Sequence, residues 1–89
     1  MRVDTRKSAL ARVGRMQGQL RGIAKMIEED AYCIDVLTQL QSVSAACDAL
    51  GLMLLDDHVR TCVHDAVRSG DGQAKLDELM ASVRRFARR

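Results

Sequence analysis

Two apolar seams that cannot belong to one straight helix constrain this chain more than any other feature. Val13, Met16, Leu20, Ile23 and Ile27 alternate spacings of three and four, the mark of an amphipathic helix with a coiled-coil-like stripe. Leu37, Leu40, Val43, Cys47, Leu50 and Leu54 form a second stripe of the same kind. Projected at about 100° per residue, the two stripes differ by roughly half a turn of the helical wheel. A break must fall between Ile27 and Val36, and Asp30-Ala31-Tyr32 is the place for it, although no Gly or Pro marks it. The second helix then runs from about Cys33 to Arg68. Ser69-Gly70-Asp71-Gly72 ends it. A third helix sets Leu76, Leu79, Met80, Val83 and Phe86 on one face. Asp4 or Thr5 is placed to cap the first helix and Asp71 the third.

With no proline, one Phe and one Tyr in 89 residues, the chain lacks the aromatic and turn residues of a β-sheet. The expected fold is all-α, one domain over residues 1–89, with a three-helix protomer. A middle helix of roughly 50 Å is too long for a compact monomer of this length, whose radius of gyration would be about 12 Å. A long helical hairpin leaves its seam half covered, and pairing two hairpins into an antiparallel four-helix-bundle dimer closes it. No apolar run approaches the ~20 residues of a membrane span, and the charged N-terminus lacks a signal-peptide core. A cytoplasmic protein without a membrane role is expected. Neither a Gly-rich phosphate loop nor a Ser/His/Asp set is present, so an enzyme is not.

The net charge of +2 hides segregation. Residues 1–25 carry +6, residues 26–67 carry −7 and residues 68–89 carry +3. Basic ends on a nearly neutral chain suit a polyanion bound by particular faces, or simply a solvated surface. In the first helix Ser8, Arg12, Arg15 and Gln19 form one polar stripe, and Lys7, Arg21 and Lys25 form another. Such side chains reach phosphates and base edges. Gly14, Gly18 and Gly22 make a ridge there, best read as a tight helix crossing.

His58 and Cys62 stand four apart on one helical face, where both are good metal ligands. The bland alternative is a partly buried thiol beside a surface imidazole. Cys33 begins the same helix, 25 residues or roughly 37 Å from His58, and cannot meet the pair within one chain. An antiparallel dimer crossing near Ala45-Ala46-Cys47 brings it to the pair of the other chain, twice by symmetry. Two thiolates and one imidazole suit Cu(I), whereas zinc normally takes a fourth ligand. His64 is turned about 200° from Cys62, and residues 1–57 contain no His for a nitrogen-rich nickel or cobalt site. Cys47, on the apolar seam, reads as a core thiol. Two other readings stand beside a Cu(I) site. One is a sensor of another metal (nickel, cobalt or zinc) or of a thiol-reactive electrophile. The other is a helical metal-binding protein with no DNA role.

Three blocks of this sequence resemble the copper-sensitive operon repressor (CsoR/RcnR) family: Arg15-Met16-Gln17-Gly18-Gln19-Leu20-Arg21-Gly22-Ile23, Asp30-Ala31-Tyr32-Cys33-Ile34-Asp35-Val36 and Asp57-His58-Val59-Arg60-Thr61-Cys62. The resemblance spans nearly the whole chain, and the Cys–His–Cys set is that of the family's Cu(I) sensors. It implies a dimer of dimers, with Cys33 of one protomer and His58 and Cys62 of its neighbour as ligands. It also implies Tyr32 and Glu78 as groups supporting those ligands. Operator DNA is the implied partner, contacted by Arg12, with Arg15, Gln19, Arg21 and Lys25 as further contacts. A basic residue often found midway along the family's second helix is absent, since Asp48-Ala49 stand there. The implied function is repression relieved by Cu(I), acting on copper efflux or chaperone genes.

Overall fold

The computed structural model describes residues 1–87, apart from the side chains of Cys62, Val63 and His64, so the expectation placed on the Cys62 thiol lies outside the described residues. Helices α1 (Val3–Glu28) and α2 (Cys33–His58) are followed by a π turn (Val59–Val63), α3 (His64–Ser69) and α4 (Gly72–Ala87), with no strand among the described residues. Because α2, the π turn and α3 succeed one another directly, the chain has three helical rods, as its periodicity requires.

The break between the first two rods is a Schellman motif. The amides of Ala31 and Asp30 donate to the carbonyls of Met26 (2.9 Å) and Ile27 (3.2 Å), and Asp30 takes the left-handed conformation at φ 53. A short polar side chain tolerates that conformation, so Asp30 does here what glycine usually does. Gly70 (φ 94) repeats the motif between α3 and α4, with Asp71 N–H donating to Ala66 O at 2.7 Å.

Two expectations about the helices need correction. First, α1 starts at Val3 with Arg2 in the cap position, and neither Asp4 nor Thr5 caps it. Its first turn is served by Asp57 of α2, whose side chain accepts from Arg2 Nε at 2.8 Å and from Arg2 N–H at 3.3 Å. Secondly, the middle rod is not a uniform α-helix to Arg68, because its ladder widens to π over Val59–Val63. The Thr61 hydroxyl donates to the Asp57 carbonyl at 2.8 Å, one turn back. Such back-bonding competes with the backbone ladder and bends helices.

The pairs Arg2–Asp57 and Gln19–Ser42, the latter at 3.2 Å, show α1 and α2 running antiparallel. The molecule measures 56 × 28 × 13 Å, and its least dimension is about one helix diameter. Its radius of gyration is 17.3 Å. It exposes 6686 Å², where a compact monomer of its 9.9 kDa mass would expose about 5,200 Å². Among the described residues, Ala9, Ile23, Val43, Ala66 and Leu79 are the buried apolar ones. Leu20, Ile27, Leu37 and Leu40 remain exposed, so both seams are half covered. Cys47, expected in the core, is exposed for the same reason. The glycine ridge is not a crossing within this chain either: a Cβ at Gly14 or Gly22 would meet nothing within 4 Å.

Asp57 is only 2% exposed. The hydrogen bond from Arg2 is the chief reason its carboxyl is held at about 2, below the ordinary 3.8; burial opposes that shift and Thr5 assists it. A carboxylate with a depressed folded-state pKa contributes stability that is present above its unfolded value and lost as pH falls through its folded one. The denaturation midpoint is therefore expected to hold level down to about pH 4 and to fall between pH 4 and 2. Arg2→Gln should flatten that fall, and denaturant titrations across this range check it.

Gly51 carries the approach of α4 to α2. A Cβ there would overlap the Phe86 ring, with 2.6 Å to Cε2. Gly51→Ala is expected to cost about 1–3 kcal/mol, towards the lower end because the partly exposed ring has room to swing aside. Chemical denaturation measures the cost, and a Phe86→Leu background should reduce it.

Candidate metal centre and nucleic-acid interface

Cys33 is the first residue of α2 and His58 the last. A rise of about 1.5 Å per residue separates their backbones by roughly 37 Å. Twenty-five residues return nearly to the same angle, so the two share one face of the rod at opposite ends. Leu40 and Cys47 lie on that face between them and are exposed. Among the described residues, no three His, Cys, Asp or Glu side chains come close enough to hold an ion. Within one chain the length of α2 keeps Cys33 apart from His58.

At the His58 end, α2 and α4 enclose a cavity of about 490 Å³. Leu54, Leu55, Leu79, Val83 and Phe86 line it, and His58 and Glu78 share its wall. Glu78 is exposed and accepts from Lys75 Nζ at 3.4 Å. Tyr32 is at the other end of α2, in the cap position, 68% exposed and with no side-chain cap hydrogen bond. Of the two residues expected to support the ligands, Glu78 thus lines one cavity with His58, and Tyr32 precedes Cys33 at the other end of α2.

The five residues of α1 expected to contact DNA divide. Arg12, Arg15 and Gln19 line a cleft of about 310 Å³ with Met16 and Ala46. Gln19 is anchored there by donating from Nε2 to the Ser42 hydroxyl. Arg21 projects roughly half a turn away around α1 and Lys25 about a third of a turn, and Lys25 lies 4.0 Å from Glu29.

Sequence reasoning passed over Arg2 and Asp57. Asp57 borders a candidate ligand, but nothing in the sequence pairs it with a residue 55 positions earlier.

Residues 5–85 match the family of metal-sensitive transcriptional repressors. The chain is 44% identical over 77 residues to the copper-sensing transcriptional repressor CsoR of Bacillus subtilis, covering 86% of this chain and 76% of that protein. It is 51% identical over 79 residues to the copper-sensing transcriptional repressor RicR of Mycobacterium tuberculosis, covering 86% and 82%. Its structure superposes on that of the copper-sensing repressor CsoR with Cu(I) from Geobacillus thermodenitrificans with a TM-score of 0.93 at 38% identity, over 99% of this chain and 92% of that one. The nickel-responsive transcriptional regulator InrS superposes with a TM-score of 0.79 at 32% identity, over 90% of each chain.

Proposed function

The chain belongs to the metal-sensitive transcriptional repressor family, and from that premise we propose that it is a Cu(I)-responsive repressor. Its metal-free form binds operator DNA and its Cu(I) form releases it. The observation that carries this reading is the placement of Cys33 and His58 on one open face of α2, at opposite ends of a rod. A second protomer laid antiparallel on that face, with its dyad near Ala45-Ala46-Cys47, puts Cys33 against His58 and Cys62 of the other chain. Symmetry makes two such sites. The same pairing covers Leu37 and Leu40, and the surface excess over a compact monomer is what such a dimer removes.

The donor set fits the ion. Two thiolates and an imidazole are soft and low in number, which suits Cu(I) and falls short of zinc's usual four. Residues 1–57 contain no histidine, so a nitrogen-rich nickel site has no material here. Cys33 of one protomer and His58 and Cys62 of the other would hold Cu(I), which would supply a soft Lewis-acid centre there. The protein's part is to move: Cys33 of one protomer and the end of α2 of the other close towards each other. Glu78, at the wall of the His58 cavity, orients the imidazole in this reading, and Tyr32 packs over the site from the Cys33 side. Two dimers assemble into a tetramer, which presents several copies of α1 to one operator in the cytoplasm. Arg12, Arg15, Gln19, Arg21 and Lys25 are the candidate DNA contacts.

Because copper prefers the state with low DNA affinity, DNA must weaken copper binding by the same factor, typically by about 1–3 kcal/mol. An anaerobic Cu(I) titration, read at once by ultraviolet absorbance and by anisotropy of labelled operator DNA, tests this. Release of the operator at one Cu(I) per protomer is the expected result. Operator affinity that ignores Cu(I) rejects the function. If DNA binding itself is real, it should weaken steeply with salt as counterions are released.

A further inference from the structure

We infer that the Asp57–Arg2 pair is the mechanical link through which a change at His58 reaches helix α1. The inference rests on the Cu(I)-responsive reading above and names the part of the chain that carries the signal.

Asp57 is joined to three things at once. Its peptide continues directly into His58. Its carbonyl accepts from the Thr61 hydroxyl at 2.8 Å, inside the π turn that contains Cys62. Its carboxylate, buried while Arg2 is half exposed, holds the guanidinium at 2.8 Å and the Arg2 amide at 3.3 Å. Arg2 also lies 3.9 Å from Asp56, which Arg60 of the same π turn engages at 3.0 Å. Helix α1 has no side-chain cap of its own, so this carboxylate is what fixes its first turn. A negative group at that end also complements the helix dipole.

From Arg2 the helix runs to Arg12, roughly 15 Å further along its axis. A helix transmits a displacement of its end over that distance as a rigid rod. When His58 and the turn after it re-orient, Asp57 moves with them and carries the start of α1. The basic side chains of α1 are then re-aimed relative to α2. Arg2 and Asp57 are thus positioning residues, touching neither metal nor DNA.

The test uses the 89-residue protein as wild type, as Arg2→Gln, and as Arg2→Lys, the conservative variant. Asp57→Asn serves as an independent cut of the same link. Anaerobic Cu(I) affinity, metal-free operator affinity and the ratio of operator affinities without and with Cu(I) are measured. Amide hydrogen exchange in the first turn of α1 is followed without DNA. Wild type should show a Cu(I)-dependent change in exchange at Thr5 and Arg6. In Arg2→Gln and Asp57→Asn that change should vanish and the affinity ratio should fall by about tenfold. Cu(I) affinity should stay within about threefold of wild type, less than one pKd unit. Arg2→Lys should keep most of the response. A merely structural pair would lower stability and leave the ratio alone. First-turn exchange in Arg2→Gln that still answers Cu(I) as wild type does overturns the inference, whatever happens to operator affinity. A wild type indifferent to Cu(I) instead removes the proposed function, and the link with it.

Discussion

Cys33→Ala and His58→Ala proteins, each unable to hold Cu(I) alone, are expected to regain binding when mixed and reassembled. The proposed homodimer has two sites, and each variant damages both. In the mixed dimer both lesions fall on one site. The other draws Cys33 from the His58→Ala protomer and takes His58 and Cys62 from the Cys33→Ala protomer. Random pairing of equal amounts makes half the dimers mixed, so recovery is about one quarter of a Cu(I) per protomer. The effect is large because it runs from no high-affinity site to an intact one. A site made within one chain cannot be rescued this way, since neither protomer then holds a full set. The length of α2 already argues against that arrangement: its 26 residues separate Cys33 from His58. Metal-free operator binding should survive in both single variants, because neither residue lies on α1. Absorbance at sulfur-to-copper charge-transfer wavelengths, before and after denaturing and co-refolding the two proteins, reads the outcome. No recovery in dimers shown to be mixed would sink the shared site.

The parts of this fold that depend on helical period alone were legible in the sequence. The half-turn phase difference between the Val13–Ile27 and Leu37–Leu54 stripes demanded a break, and Asp30 sits in it with a positive φ. The separation of Cys33 from His58 followed from rise per residue. Side chains acting across the chain were not legible. Nothing local announces that Asp57 would cap α1 in place of Asp4 or Thr5, because the pairing spans 55 residues. The π turn goes with a back-bond from the Thr61 hydroxyl to the Asp57 carbonyl, and threonines inside helices need not make one. The exposure of Cys47 escaped notice for another reason. An apolar stripe shows that a face will be covered, but not whether the cover comes from the same chain.

Arg12→Ala/Arg15→Ala is expected to weaken operator binding by about a hundredfold or more at moderate salt, and to lower the slope of log K against log[salt] by about two to four. Arg21→Ala/Lys25→Ala should cost less than about tenfold. Equal charge is removed in both cases, so the difference must come from placement. Arg12 and Arg15 flank one cleft, where Gln19 is held by Ser42. The Gln19 anchor fixes the cleft wall against α2, and two guanidiniums on a fixed wall spend less side-chain entropy in gripping a phosphate. Arg21 is about half a turn from that stripe, and Lys25, about a third of a turn from it, already has Glu29 at 4.0 Å, so it has less to gain from a phosphate. The effect multiplies because an oligomer presents each lost pair more than once to the same duplex. Anisotropy titrations of one labelled operator at four or five salt concentrations give affinity and slope together. Should the Arg21/Lys25 pair lower the slope as much as the Arg12/Arg15 pair, DNA must touch opposite sides of α1 at once. That geometry places α1 within a groove, with the open backbone of Gly14 and Gly22 against a strand, and the cleft-centred interface would be wrong.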